Sequence, residues 1–191
     1  SSHGLWRSPL NRACVLAWEP VLSLNSTSGM EPRMHIRRAV QRDADAIARL
    51  SASAAAEEGA ISALDSERIR LNAFGANAIL EAWVAQERPN TPLVAHAIIT
   101  KSYDVRRGCP SIVLCELYVA PDYRRTGLAR AMMSEVARRA RQLGARELAI
   151  TTGVDNEVAQ RFFAAIGANP EQAAVFMMSA DGIEWLAAES L

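Results

Sequence analysis

The chain has 191 residues, about one domain's worth, and its 50% hydrophobic and 22% charged content supports a sizeable core and excludes wholesale disorder. Twenty-one basic residues offset twenty-one acidic ones, so no global field draws the chain to nucleic acid or membrane, and any anion site must be local. Cys14, Cys109 and Cys115 fit neither a disulfide framework nor a zinc spacing, and His3, His35 and His96 do not cluster with them; free thiols in a reducing cytoplasm, with no metal, are the expectation.

Residues 1–33 read as an N-terminal arm, tag-derived or accessory, outside a domain expected over residues 34–191. The apolar segment Ala13 to Leu24 is broken by Glu19 and Pro20 and falls short of the ~18 residues a spanning helix needs, so no membrane contact is expected. From His35 the pattern is regular. "HIRRAV" reads as a strand. "RDADAIARLSASAAAEE" reads as a helix, with Asp43 as cap, Ile47 and Leu50 on one face, and Gly59 as stop. "LDSERIRLNAFG" gives a second helix capped by Asp65 or Ser66 and stopped by Gly75.

"AILEAWVAQE", the turn "RPNTP" and "LVAHAIITKSY" form a hairpin signal, and "SIVLCELYVA" follows as the next strand. After Pro121, Leu128, Met132, Val136, Ala140 and Leu143 recur at helical spacing with arginines on the other face, and Gly144 ends the run. "RELAITTGV" reads as a strand, "NEVAQRFFAAIG" as a helix, "AAVFMMSA" as a final strand and "IEWLAAES" as a closing helix. The fold class is α/β (α+β in some schemes), a mixed sheet with helices on both faces.

The joint "ELYVAPDYRRTGLARAMM" carries the chemistry. A helix N-terminus offers unpaired N–H groups and partial positive charge, and small residues before it let an anion approach. Gly127 permits that approach, Ala129 stays out of the way, Thr126 adds a hydroxyl, and Arg124 and Arg125 add charge; the site suits a pyrophosphate. The plainer alternative is a helix start with solvated arginines.

This joint resembles the cofactor-binding core of the GNAT superfamily, the GCN5-related N-acetyltransferases. Val119, Pro121, Tyr123, Arg124, Gly127 and Ala129 match its first block, and Asn156, Ala159, Phe162, Gly167 and Ala168 in "VDNEVAQRFFAAIGA" match its second. The resemblance covers Ile36 to about Ala188. It implies a mixed, mostly antiparallel sheet whose fourth and fifth strands splay, acetyl-CoA as cosubstrate, and N-acetylation of an amine.

By resemblance, Leu117, Tyr118 and Val119 line the pantetheine arm. Arg124, Arg125, Thr126, Gly127, Leu128, Ala129 and Arg130 hold the pyrophosphate, and Asn156, Phe162 and Phe163 complete the cofactor site. Asn156 reads equally well as a helix cap. Finer features, "RIRLNAFGANAILEAWVAQ" and "LCELYV" among them, are similar to the diamine or spermidine N-acetyltransferase branch. That branch implies a small-molecule primary amine as acceptor, polyamine, diamine or amino-acid-like, direct transfer in a ternary complex, and a homodimer.

Two positions depart from the branch. Its strand glutamate, the base, stands at Cys115 here, with Glu116 in the next place, and its acid tyrosine is replaced by Phe163. Strand alternation puts Cys115 and Glu116 on opposite faces, so Glu116 does not inherit the position by adjacency. The candidates for proton handling are Glu116, Tyr118 and Cys115, with Tyr103 and His96 behind them. Each has a plainer reading: a core-edge carboxylate, packing tyrosines, an inert buried thiol, a structural histidine. Glu57 and Glu58, ending the first helix, border the expected acceptor cleft or are simply solvated. Two alternatives remain open: an acetyl-CoA-binding module with a sensing or scaffolding role, and an enzyme acting on protein or peptide amines.

Overall fold

The computed structural model describes residues 34–171 and 176–189, so the expectation for the arm 1–33 lies outside the described residues. Five strands form one sheet in the order β1-β2-β3-β4-β5. They are β1 (His35–Arg38), β2 (Leu80–Gln86), β3 (Leu93–Asp104), β4 (Cys109–Val119) and β5 (Glu147–Ile150). Pairing is antiparallel except between β4 and β5, which run parallel. The helices are α1 (Ala44–Glu57), α2 (Ser66–Ile69), α3 (Leu128–Gln142), α4 (Glu157–Ala165) and α5 (Ala180–Ala188).

Strand alternation divides the core between the two faces. On one face Trp83, Ala95, Ala97, Ile99, Ile112 and Leu114 pack under Leu128, Met132 and Val136 of α3, with Phe162 and Phe163 of α4 at the margin. On the other, Ala82, Val84 and Ile98 pack against Ile47 of α1 and Ile69 of α2. The apolar stripe read from the sequence of α3 is thus the stripe that is buried. Asp65 caps α2, its Oδ1 accepting from the Arg68 N–H at 2.7 Å. Asp43 stands at the N-cap position of α1 as expected, but its side chain makes no cap bond to that helix. Its carboxylate instead accepts from the Val40 N–H at 2.8 Å and from both Arg37 guanidinium nitrogens at 2.6 and 2.9 Å.

The terminal strand expected over "AAVFMMSA" is not borne out where it is described: Phe176 to Ser179 carry no strand, and α5 begins at Ala180. β5 is also shorter than expected, ending at Ile150.

The register of β3 against β4 breaks once in a way that matters. Ile98 pairs with Glu116 and Ile99 with Leu114, which leaves Cys115 as an extra residue. This is a β-bulge, and it corrects the unbroken alternation assumed from the sequence. Ile112 and Leu114 face α3, and so do Leu117 and Val119 beyond the bulge. Glu116 and Tyr118 are therefore turned to the α1 face, where unbroken alternation would have sent them to α3. Pairing with β5 also stops at the bulge: its last partners are Leu114 and Ile150, while β4 runs on to Val119.

Candidate active site

On the α1 face, Glu116 and Tyr118 each reach a residue of α1. The Ser51 hydroxyl donates to Glu116 Oε2 at 2.6 Å, and His96 Nε2 lies 2.9 Å from the same oxygen. His96 is fully buried opposite Tyr118, their rings 6.2 Å apart. The Tyr118 hydroxyl donates to Glu57 Oε1 at 2.9 Å. Arg124 donates to both Glu57 oxygens at 2.7 Å and, through Nε, to the Val119 carbonyl at 2.8 Å, while its guanidinium lies 5.5 Å from the Tyr118 ring centre.

These contacts set the charges. Burial pushes the Glu116 carboxyl up, but hydrogen bonds from His96 and Ser51 outweigh it and leave it below its ordinary value. Glu57 is likewise held low, chiefly by Arg124. Tyr118 is pushed up, first by burial and then by its bond to Glu57, so its hydroxyl keeps its proton. The arrangement offers an ionised carboxylate that can take a proton and a phenol that can give one.

Cys115 stands outside this group. It is exposed on the bulge, with Sγ 3.8 Å from the Val113 carbonyl. Desolvation raises its thiol pKa and the Glu116 charge adds to that, the opposite of what a thiolate nucleophile needs. Tyr103, seven positions along β3 from His96, pairs with Pro110 near the far end of β4 and is exposed. Glu58 lies one residue past α1 and is exposed.

The strand-to-helix joint follows the bulged stretch of β4. Gly127 takes φ +84°, a conformation a side chain would strain, and a Cβ there would meet nothing within 4 Å. Arg125, exposed, also takes a positive φ of +62°. The Thr126 hydroxyl donates to the Tyr123 carbonyl at 2.7 Å, and the Tyr123 hydroxyl donates to Glu87 at 2.8 Å, which ties the turn to the β2–β3 hairpin. The first-turn amides of α3 follow this turn, with Gly127 at the N-cap position, and form a candidate anion seat. Of the expected charges, Arg125 makes no hydrogen bond or ion pair among the described residues, whereas Arg124 is turned to Glu57. Arg130 donates to the Ala165 carbonyl at 2.9 Å and joins α3 to the end of α4.

Leu117 and Val119 face the α3 core, as does Leu128, which is buried. Ala129 packs at the margin of that core. Phe162 and Phe163 meet edge to face there, 5.3 Å between ring centres. Asn156 is the N-cap of α4, Oδ1 accepting from the Ala159 N–H at 3.0 Å. Ser51 was not singled out from the sequence. Its only signal is its place one turn after Ile47, on the buried stripe of α1.

The acetyltransferase (GNAT) family model matches residues 46–168. No curated protein matches the chain. Among solved structures, a ribosomal-protein-alanine N-acetyltransferase from Brucella melitensis biovar Abortus 2308 superposes with TM-score 0.62 at 22% identity, over 77% of this chain and 99% of its own. An aminoglycoside acetyltransferase from an uncultured soil metagenomic sample, in complex with sisomicin, gives 0.64 at 17% identity, over 76% and 95%. The aminoglycoside N-acetyltransferase AAC(6')-Iy, in complex with CoA, gives 0.65 at 19% identity, over 81% and 99%.

Proposed function

The chain belongs to the acetyltransferase (GNAT) family, and we propose that it acetylates the primary amine of a small molecule by direct transfer in a ternary complex. A polyamine, a diamine or an amino-acid-like amine fits this reading. One observation carries it: Glu116, a carboxylate with one oxygen unbonded among the described residues, sits on the part of β4 that has left β5 and leads into the candidate anion seat.

The family's cosubstrate, acetyl-CoA, supplies an acetyl group already activated as a thioester. The residues present fit it. The open space at Gly127, the first-turn amides of α3 and exposed Arg125 suit its pyrophosphate. The edge of β4 from Glu116 to Val119, without a β5 partner, suits an extended arm, with Leu117 and Phe162 as apolar walls. Asn156 already has the cap of α4 to make, so its share in the cofactor site is the smaller one.

An alkylammonium titrates near ~10.4 and must lose a proton before it attacks. Glu116 Oε1 takes that proton, directly or through water. The amine nitrogen forms its bond to the acetyl carbon as the carbon–sulfur bond breaks; the departing sulfur takes a proton, and the nitrogen's second proton leaves to restore the acid that gave it. Tyr118, which keeps its hydroxyl proton, fills the acid role that Phe163 cannot. A homodimer belongs to the same reading, on the strength of the branch resemblance.

Thiol release measured over a panel of diamines, polyamines and amino acids tests this. Turnover is expected on at least one class, and Glu116→Gln should lower kcat/KM by ~10²–10⁴ with acetyl-CoA affinity retained. Tight acetyl-CoA binding with no turnover on any of these amines would overturn the small-amine reading.

A further inference from the structure

Glu116 is anchored at one oxygen only. Ser51 and His96 both converge on Oε2, at 2.6 and 2.9 Å, whereas Oε1 takes no protein hydrogen bond among the described residues. An ionised carboxylate only accepts, so the His96 ring carries a proton on Nε2. The other ring nitrogen, Nδ1, is buried with no partner among the described residues. His96 is wholly inaccessible, on a strand whose neighbours Ala95 and Ala97 are equally buried and apolar. Burying an imidazole with one nitrogen unsatisfied is unfavourable, and an aliphatic residue would fill the space without that penalty. Packing alone therefore does not account for a histidine here, whereas its bond to Glu116 does.

We propose that His96 and Ser51 are positioning residues for Glu116: two donors from two different elements clamp Oε2 and leave Oε1 as the only oxygen aimed at the acceptor. The inference rests on the reading of Glu116 as the proton acceptor. Ser51 comes from α1 and His96 from β3, so the carboxylate is fixed against both the helix and the sheet. A single donor would leave the side chain free to rotate about it. The same two bonds keep the carboxylate charged in a half-buried place, where burial alone would favour the neutral acid. The other ionisable groups around it are Cys115 and Tyr118 on its own strand, and Glu57 with its partner Arg124 at the end of α1.

The sign follows. Glu116 titrates below its ordinary value because of these donors, so removing either should raise it. The test is the pH profile of kcat/KM in the full chain. In His96→Leu and in Ser51→Ala the acid limb should move to higher pH, and the plateau should fall about tenfold or more through kcat, as a misplaced base does. His96→Gln, which keeps an N–H donor at similar reach, should recover most of the loss. Acetyl-CoA affinity within about twofold of the parent would show that the fold and the cofactor half are intact; should His96→Leu fail that control, Ser51→Ala removes only one oxygen and carries the test alone.

An acid limb that stays in place, with a loss that His96→Gln does not restore, would overturn the proposal and leave His96 as packing. Glu116→Gln separates the two levels. If it leaves the rate unchanged, the reading of Glu116 itself fails. If it abolishes the rate while the Ser51 and His96 variants keep the parental limb, only the positioning role fails.

Discussion

Two carboxylates in this domain show how saturation separates structure from chemistry. Glu81, on β2, is 5% exposed and has both oxygens engaged. Arg139 of α3 donates to each at 2.7 Å, and Lys101 and Arg38 lie 3.2 Å away. Glu116 keeps one oxygen without a hydrogen bond among the described residues. The first clamps a helix to the sheet and has no capacity left for a ligand. Removing it strands Arg139, one of the more damaging changes a buried pair can suffer. Glu81→Ala should cost about 2–3 kcal/mol in urea unfolding, below the range for fully buried pairs because Arg139 keeps some solvent contact.

Glu81 is held below its ordinary value, chiefly by the Arg139 hydrogen bonds. Its contribution is thus complete above that value and lost as pH falls through the lower folded one, so the gap between parent and variant should close on acidification. None of this was legible in the sequence, where Glu81 is one polar letter in a strand. The same holds for Ser51 and Glu57, whose partners lie 65 and 61 residues away. Local periodicity says which residues share a face and cannot say what a distant segment lays on it.

The strands and helices themselves were legible wherever period and punctuation agreed. The stripe of α3, the cap at Asp65 and the stop at Gly144, with φ +69°, all follow from local rules. The bulge at Cys115 was not legible, because alternation continues plausibly through "IVLCELYV" in either phase. Only the partner strand decides that one residue is supernumerary. The expectation of a strand at Phe176 to Ser179 fails for a related reason: β-propensity needs a neighbour to pair with, and Phe176 and Met177 stand exposed.

The bulge makes an element-scale prediction. Removing Cys115 joins Leu114 directly to Glu116, so the ladder with β3 becomes regular while Glu116 and Tyr118 keep their face. Bulges bend a strand and end pairing, and pairing with β5 ends at this one. The deletion should therefore preserve the fold, with a melting temperature at or above the parent's. It should also weaken acetyl-CoA binding by about tenfold or more, the order that loss of one or two good contacts produces. Calorimetry on the deletion variant reads both quantities, and unchanged affinity would mean that the bulge does not open the β4 edge.

At the scale of the whole molecule, the chain is electrically balanced, and among the described residues many charges sit in local pairs. The pair of Arg124 and Glu57 is the one with a further consequence. Arg124 comes from the turn beside the candidate anion seat, and Glu57 comes from the helix whose Ser51 holds Glu116, the proposed proton acceptor. One guanidinium cannot neutralise Glu57 and a pyrophosphate at once. An anion that draws Arg124 away leaves Glu57 with an uncompensated charge, which a cationic amine can satisfy. Affinity for the two ligands is then thermodynamically linked, and linkage is reciprocal: each must help the other by the same factor. Titrating the amine with and without CoA should show several-fold tighter binding in its presence, and Arg124→Gln should erase the difference. A side chain that looks like a surface ion pair would then be the element that makes two half-sites behave as one.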